Sequence, residues 1–216
     1  RRQRQMCIRD RCSRFWIILF KTILSKLYHW KIYVVGSVEY QYPNHLFQAG
    51  YFLDKKYYDE NTIDFKHLLL SEKNQSLLKD IQNSNSVGVH IRRGDYMTKQ
   101  NLVIFGNICT QKYYHDAIRI ITEKVNDAVF YVFSDDISWV QTHLDIPNAV
   151  YVNWNTGESS IYDMYLMSSC KYNIIANSTF SYWAARLNKK TNMVIYPSKW
   201  YNTFTPDIFP ESWCGI

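Results

Sequence analysis

An open, parallel α/β sheet with helices on both faces is the fold class this sequence predicts, and three observations predict it. From Ser86 onward, short apolar runs alternate with helical patterns, the mark of repeated strand–helix–strand units with helices of about ten residues. The runs end abruptly in polar residues: His90-Ile91-Arg92-Arg93, Ser134-Asp135-Asp136, Ala176-Asn177-Ser178-Thr179 and Pro197-Ser198-Lys199. Hydrophobic residues make up 47% of the 216, with only 7 Gly and 5 Pro, so a sizeable core can form and a disordered or fibrous chain is excluded. In doubly wound sheets ligands bind beyond the carboxyl ends of the strands. The four polar stretches are therefore also where function should lie.

Taken in order, the first fourteen residues, RRQRQMCIRDRCSR, hold arginines at positions 1, 2, 4, 9, 11 and 14 against one aspartate. This composition is foreign to the rest. Residues 1–14 are expected to lie outside the fold, as a non-native or disordered basic segment. Residues 15–30 place Ile17, Ile18, Phe20, Ile23, Leu24 and Leu27 near helical spacing. Lys21 and Lys26 interrupt the run, which falls short of the ~18–20 apolar residues of a membrane span, so a helix docked on a protein core is expected, with interfacial membrane contact as the alternative. The aromatic stretch EYQYPNHLFQAGYFLDKKYYDE reads as loops around a short strand. Phe65 to Gln82 is helical in pattern, with a break expected near Asn74.

Beyond that, SVGVHI is a strand, and CTQKYYHDAIRIITEKV a helix with Ala117, Ile118, Ile121 and Val125 on one face and Thr110 as N-cap. AVFYVFSDD is a strand ending in carboxylates, ISWVQTHL a helix and AVYV a strand. SSIYDMYLMSSC is a helix capped by Ser159 or Ser160, with Ile161, Met164, Tyr165 and Ser168 aligned. YNIIA is a strand, STFSYWAARLN a helix and NMVIYP the last strand.

Net charge is +6, most of it in the first fourteen residues, so global charge is no argument for a nucleic-acid partner. The five cysteines (Cys7, Cys12, Cys109, Cys170, Cys214) lack CxxC spacing, which points to thiols in a reducing compartment. There is no P-loop lysine pattern and no GxGxxG, which excludes those two nucleotide motifs. His45, His67, His115 and His143 are isolated and read as ordinary histidines.

Three constellations carry chemistry. In Ala176-Asn177-Ser178-Thr179-Phe180-Ser181 a strand turns directly into a helix. The free N–H groups of a helix start suit phosphate, unless Ser178 or Thr179 simply caps them. Arg92 and Arg93 are adjacent at a strand end, and successive strand residues point to opposite faces. The two are therefore expected to do different jobs, one pairing internally, for example with Asp95, and the other facing the cleft to bind phosphate with its planar fork. Asp135 and Asp136 fit either metal ligands of a DxD type or, for Asp136, a helix N-cap.

HIRRGDY (His90 to Tyr96), FYVFSDDISWV (Phe130 to Val140) and YDMYLMSSCKYNIIANSTFSYWAARLN (Tyr162 to Asn188) resemble the bacterial α1,2-fucosyltransferases of glycosyltransferase family 11. GYFLDKKYYDE and the tail YPSKWYN…DIFPESW are similar to that family as well, so the likeness runs from Gly50 to Trp213. The resemblance implies a GT-B-type α/β fold of two facing Rossmann-like halves. It makes residues 86–216 the GDP-fucose-binding half and 15–85 the remnant of an N-terminal half with its linker. It implies transfer of L-fucose from GDP-fucose to a galactose 2-hydroxyl with inversion, with no obligatory metal or other cofactor. The partners implied are GDP-fucose and a galactose-terminated glycan, with no nucleic acid, in the cytoplasm and in peripheral contact with the inner membrane.

Residue by residue, the resemblance puts His90 and Asp163 on guanine and Arg92 on the diphosphate. It lays the turn Asn177, Ser178, Thr179, Phe180 and Ser181 against the pyrophosphate or fucose. One carboxylate can meet both the N1–H and the 2-amino group of guanine, and arginine with helix N–H groups can neutralise a leaving diphosphate. Asp95 is a candidate catalytic residue beside Arg92, as the general base or else as the partner that holds Arg92 or Arg93, with a base in the absent half as the further alternative. The family's Gly-rich opening segment, of the type G-G-L-G-N-Q, has no counterpart here. The N-terminal half is thus expected to be truncated, with a non-catalytic GDP-sugar- or glycan-binding fragment as the alternative reading.

Overall fold

The computed structural model describes residues 33–35, 47–49 and 64–216. Two compact units divide the chain, Arg1–Tyr58 and Asp59–Ile216. In the first, strands β1 (Tyr33–Val35) and β2 (Phe47–Ala49) pair in parallel. The expected basic segment and the helix of residues 15–30 lie outside the described residues.

The second unit is built on six parallel strands: β3 (Asn85–Ile91), β4 (Ala128–Ser134), β5 (Ala149–Val152), β6 (Tyr172–Ile174), β7 (Met193–Tyr196) and β8 (Cys214–Gly215). Their order is β5-β4-β3-β6-β7-β8. The chain winds outward from β3 to β5, returns to the far side of β3 at β6, and winds outward again. This is the Rossmann order, and its switch point falls between β3 and β6, where the two following connections leave in opposite directions and open a crevice.

Six helices cover the faces: α1 (Glu72–Asn83), α2 (Lys99–Phe105), α3 (Gln111–Lys124), α4 (Ile137–His143), α5 (Ser160–Ser168) and α6 (Thr179–Arg186). The period of two along each strand sorts them. Val87, Val89 and Ile91 of β3, with Phe130 and Val132 of β4, pack on Tyr114, Ala117 and Ile121 of α3 and Val140 of α4. On the other face Tyr131, Phe133 and Val152 pack on α1, α5 and α6 through Leu77, Ile81, Leu166, Met167 and Ala184. Gly88 lets α5 approach, since a Cβ there would come within 3.0 Å of Met167 Cγ and 2.9 Å of Asn173 Nδ2.

Several expectations meet their elements. Thr110 caps α3 by accepting a hydrogen bond from the Tyr113 N–H (3.3 Å), and Asp136 caps α4 by accepting from the Trp139 N–H (3.1 Å). Others are corrected. The helix expected from Phe65 starts only at Glu72, because Ser71 caps it through the Asn74 N–H. Asn74 is not a break but a buried residue of the first turn. Ser159 precedes α5 without a side-chain cap bond, and of the residues expected on its inner face Met164 and Ser168 are buried, joined by Leu166 and Met167, while Ile161 and Tyr165 are half-buried. Helix α2 and strand β8 were not foreseen. The boundary expected at Ser86 moves upstream, because α1 contributes Leu77 and Ile81 to the core of the second unit. Among the described residues no helix is long and apolar enough to cross a membrane.

The boundary can be checked by stability. Ile81, with no exposed surface, should cost about 2–5 kcal/mol when changed to Ala. Leu69→Ala, at a position 87% exposed just before the helix, should stay within about 0.5 kcal/mol. Urea midpoints of the two variants measure the difference, and equal midpoints would leave α1 outside the fold.

Candidate functional site

Three groups of side chains gather at the carboxyl ends of the strands. The first sits at the switch point. His90 is the penultimate residue of β3, on the face that receives α5 and α6, and is 6% exposed. Its ring lies against Phe180 of α6, with centroids 5.1 Å apart. Its Nδ1 is buried without a hydrogen-bond partner. Burial, and then the nearby Arg92 charge, push its pKa from 6.5 to about 3, so the ring is neutral near pH 7.

Ser178 occupies the N-cap position of α6 in extended conformation, yet no side chain caps that helix. The Ser181 hydroxyl donates back to the Ala176 and Ser178 carbonyls, both at 3.2 Å. The start of α6 therefore keeps its N–H groups open, with Thr179 and Phe180 half-buried beside them. Asn177 is used otherwise. Its amide donates to the Trp200 carbonyl (3.0 Å) and the Phe105 carbonyl (3.3 Å), and its oxygen accepts from the Cys109 thiol (3.4 Å). Asn177 fixes the turn rather than offering a free group to a ligand.

The second group is the loop after β3. Strand alternation stops at Ile91, so the expected division of Arg92 and Arg93 between opposite faces does not hold. Both line one cavity of about 260 Å³, together with Tyr96, Phe105, Tyr114 and Trp139, and His90 is not part of its wall. Arg92 donates to Asp95 (2.5 Å) and Asp135 (2.6 Å). Arg93 donates from Nε to Asp136 (3.2 Å), stacks its guanidinium over Trp139 at 3.7 Å, and its backbone N–H donates to Asp135 (2.9 Å). Asp135 and Asp136 are thus engaged by the arginines and the α4 cap. The Asp135 carboxylate lies so close over Gly94 that a Cβ there would come within 2.5 Å of it. That contact explains the glycine between the arginines and Asp95.

The third group surrounds Asp163 in the first turn of α5. Its Oδ1 accepts a 2.7 Å hydrogen bond from Asn155, which in turn is paired with Asn74. Burial pushes the Asp163 carboxyl up to about 7, and the Asn155 hydrogen bond opposes that shift.

Sequence reasoning missed the residues that brace these groups. Tyr113 and Tyr114 of α3 donate to the Ile175 carbonyl (2.6 Å) and the His90 carbonyl (3.1 Å), one behind each strand of the switch point. Tyr96 donates to the Asn177 carbonyl (2.9 Å), tying the β3 loop to the β6 turn. A tyrosine pair in the first turn of a helix with an aliphatic inner face was the available signal, since a buried phenol must find an acceptor.

The two shifted groups make opposite contributions to stability below neutrality. As pH falls from 6.5 toward 3, the unfolded His90 takes up a proton that the folded ring refuses, so stability is lost. As pH falls from about 7 toward 3.8, the folded Asp163 takes up a proton before its unfolded form does, so stability is gained. Relative to the parent chain, His90→Gln should gain thermal stability on acidification from neutrality to about pH 4.5, and Asp163→Asn should lose it. Melting curves at the two pH values read both signs.

The family model for glycosyl transferase family 11 matches residues 14–216. An α-1,2-colitosyltransferase of Escherichia coli is 35% identical over 196 residues, covering 84% of this chain and 63% of that protein. The O-antigen biosynthesis glycosyltransferase WbnK of Escherichia coli is 44% identical over 122 residues, covering 56% of this chain and 40% of that protein. Galactoside α-(1,2)-fucosyltransferase 2 of Pongo pygmaeus is 28% identical over 163 residues, covering 69% of this chain and 48% of that protein. The chain spans less than two thirds of the length of each of these relatives.

Proposed function

The chain belongs to glycosyltransferase family 11, and from that premise we propose that the protein transfers L-fucose from GDP-fucose to the 2-hydroxyl of a galactoside, with inversion at the fucose carbon. The second unit is the donor-binding half of a GT-B arrangement in this reading. The acceptor is a galactose-terminated glycan, met in the cytoplasm against the inner membrane. One observation carries the proposal. A neutral, buried His90 with an unpaired ring nitrogen stands at the switch point, against Phe180 and beside the uncapped start of α6. A buried nitrogen without a partner costs about 1–3 kcal/mol, and a ligand that bonds it recovers that cost.

The roles follow. His90 and Asp163 hold the guanine. The N–H groups of α6, flanked by Ser178 and Thr179, and the Arg92 guanidinium take the charge that grows on the departing GDP as the sugar–phosphate bond breaks. The acceptor oxygen forms the new bond on the opposite face of the fucose, and its proton goes to Asp95. In this reading the pairing of Asp95 with Arg92 is exchangeable. Arg92 is shared between Asp95, whose side chain is 57% exposed, and Asp135, which is 27% exposed. An exposed pair of this kind is worth about 0–1 kcal/mol, so a diphosphate can displace Asp95 from Arg92 and leave its carboxylate free. Arg93, stacked on Trp139 and paired with Asp136, stays in place.

A second reading is favoured by the 35% identical relative, whose sugar is colitose. The acceptor linkage and protein roles would be unchanged. Release of GDP from GDP-fucose with a lactose-type acceptor tests the first reading, and a colitosyl donor in the same assay tests the second. Binding of GDP without release from either donor would leave a non-catalytic sugar-nucleotide binder.

Two variants test the roles. Arg92→Ala should weaken GDP binding by about ten- to a hundredfold, the loss of charge-assisted hydrogen bonds, and unchanged calorimetric affinity would remove Arg92 from the donor site. Asp95→Asn should bind GDP at least as tightly as the parent, because a competitor for Arg92 is gone, yet turn over roughly 10²–10⁴-fold more slowly. Weaker GDP binding with turnover falling only in proportion would make Asp95 a holder of Arg92 and not the base.

A further inference from the structure

Asp163 is one end of a chain of hydrogen bonds that begins on a different element. The Trp154 indole donates to Asn74 Oδ1 (2.7 Å). Asn74 Nδ2 donates to Asn155 Oδ1 (2.9 Å), and Asn155 Nδ2 donates both back to Asn74 Oδ1 (3.1 Å) and onward to Asp163 Oδ1 (2.7 Å). Asn74 is 1% exposed, in the first turn of α1, while Trp154 and Asn155 belong to the connection between β5 and α5. An indole N–H can only donate. It therefore fixes Asn74 with its oxygen toward Trp154. That fixes Asn155 with its oxygen toward Asn74 Nδ2, and both N–H groups of Asn155 are then spent, one of them on Asp163. The polarity of the whole chain is set by one donor that never touches the carboxylate. Lys73 closes the outer side by stacking over the Trp154 ring at 3.7 Å. Among the described residues no donor reaches Asp163 Oδ2.

We infer that Trp154, Asn74 and Asn155 are positioning residues for base recognition: they clamp Asp163 by one oxygen so that its carboxylate edge is presented in a single orientation to a purine carrying adjacent N1–H and 2-amino donors. The inference rests on the reading of Asp163 as the guanine contact. It adds that the selectivity for guanine depends on residues that touch no ligand. A carboxylate free to rotate still attracts N–H donors, but it meets two of them at once only part of the time, so a loosened clamp lowers discrimination more than it lowers attraction.

Inosine diphosphate is the probe, because it keeps N1–H and lacks only the 2-amino group. The parent chain should prefer GDP over inosine diphosphate by about tenfold in calorimetric Kd, the worth of one charge-assisted hydrogen bond. Asn155→Ala removes the donor to Asp163, and Trp154→Phe keeps an aromatic ring while removing the donor that sets the polarity. In both, the preference should fall to about twofold or less, and in Trp154→Phe the affinity for inosine diphosphate should change by less than about threefold. Asn155→Gln, which restores an amide, should recover part of the preference, whereas a merely structural role would not. The inference is overturned if a folded variant loses affinity for both nucleotides by the same factor, or keeps the parent's preference. Trp154→Phe keeps the test decisive should Asn155→Ala not fold. If the parent itself fails to bind GDP, the proposed function falls and this inference with it. If the parent prefers GDP and the variants do too, the inference falls alone.

Discussion

One carboxylate anchors the start of the loop that leaves β3. Asp135 receives the Arg92 side chain and the Arg93 backbone N–H on its two oxygens, and it can do so only because Gly94 presents no Cβ beneath it. Without that anchor the two arginines would sit on a segment with a single short 3₁₀ turn (Gly94–Met97) and no strand pairing. With it, Arg92 is held beside the switch point and Arg93 is turned onto Trp139. Two cations at the end of a buried strand are thereby matched by three carboxylates, Asp95, Asp135 and Asp136, of which the most exposed is the one least firmly committed. A guanidinium already oriented, with one exchangeable partner, suits the role proposed for Arg92 on an anion.

Much of the second unit was legible because its strands are buried on both faces and read as continuous apolar runs. AVYV matches β5 residue for residue, and the N-caps at Thr110 and Asp136 are local hydrogen bonds that sequence spacing specifies directly. What escaped was set by tertiary partners. Helix α2 carries Val103 and Ile104 largely exposed, so it has no inward stripe to read, and its last carbonyls are satisfied by Asn202 from a distant loop. Strand β8 is two residues long and exists only by pairing with Ile195 and Tyr196. The parity argument for Arg92 and Arg93 failed because it assumed a strand that continues past Ile91.

The site shows the same division. The residue types that a nucleotide sugar calls for stood out in HIRRGDY and in the turn before α6. The residues that hold them were harder to see: the pair Tyr113-Tyr114 signals only that its phenols need acceptors, and an asparagine bonded to a distant partner leaves no pattern in sequence. Asn74 is the sharpest case: its polarity within an apolar helix pattern suggested a break, and it proves to be the hub of a buried amide pair. Asn177 is the converse, a residue of the expected binding turn whose amide is taken up by Trp200 and Phe105. Charge is tuned in the same way. Burial keeps His90 neutral near pH 7 and lifts the Asp163 pKa to about 7.

The two-residue strand β8 has a consequence for how the unit behaves among its own kind. It closes one side of the sheet, and the four-residue β5 closes the other. Long flat borders invite neighbouring chains to add strands, and very short ones give an intruder too few free N–H and C=O groups to grip. Gly215 tightens this border further, since its backbone lies so near the Tyr196 ring that a Cβ would come within 2.9 Å of it. Among the described residues the sheet is thereby ended rather than merely interrupted, and resistance to edge-to-edge aggregation is written into its two short border strands.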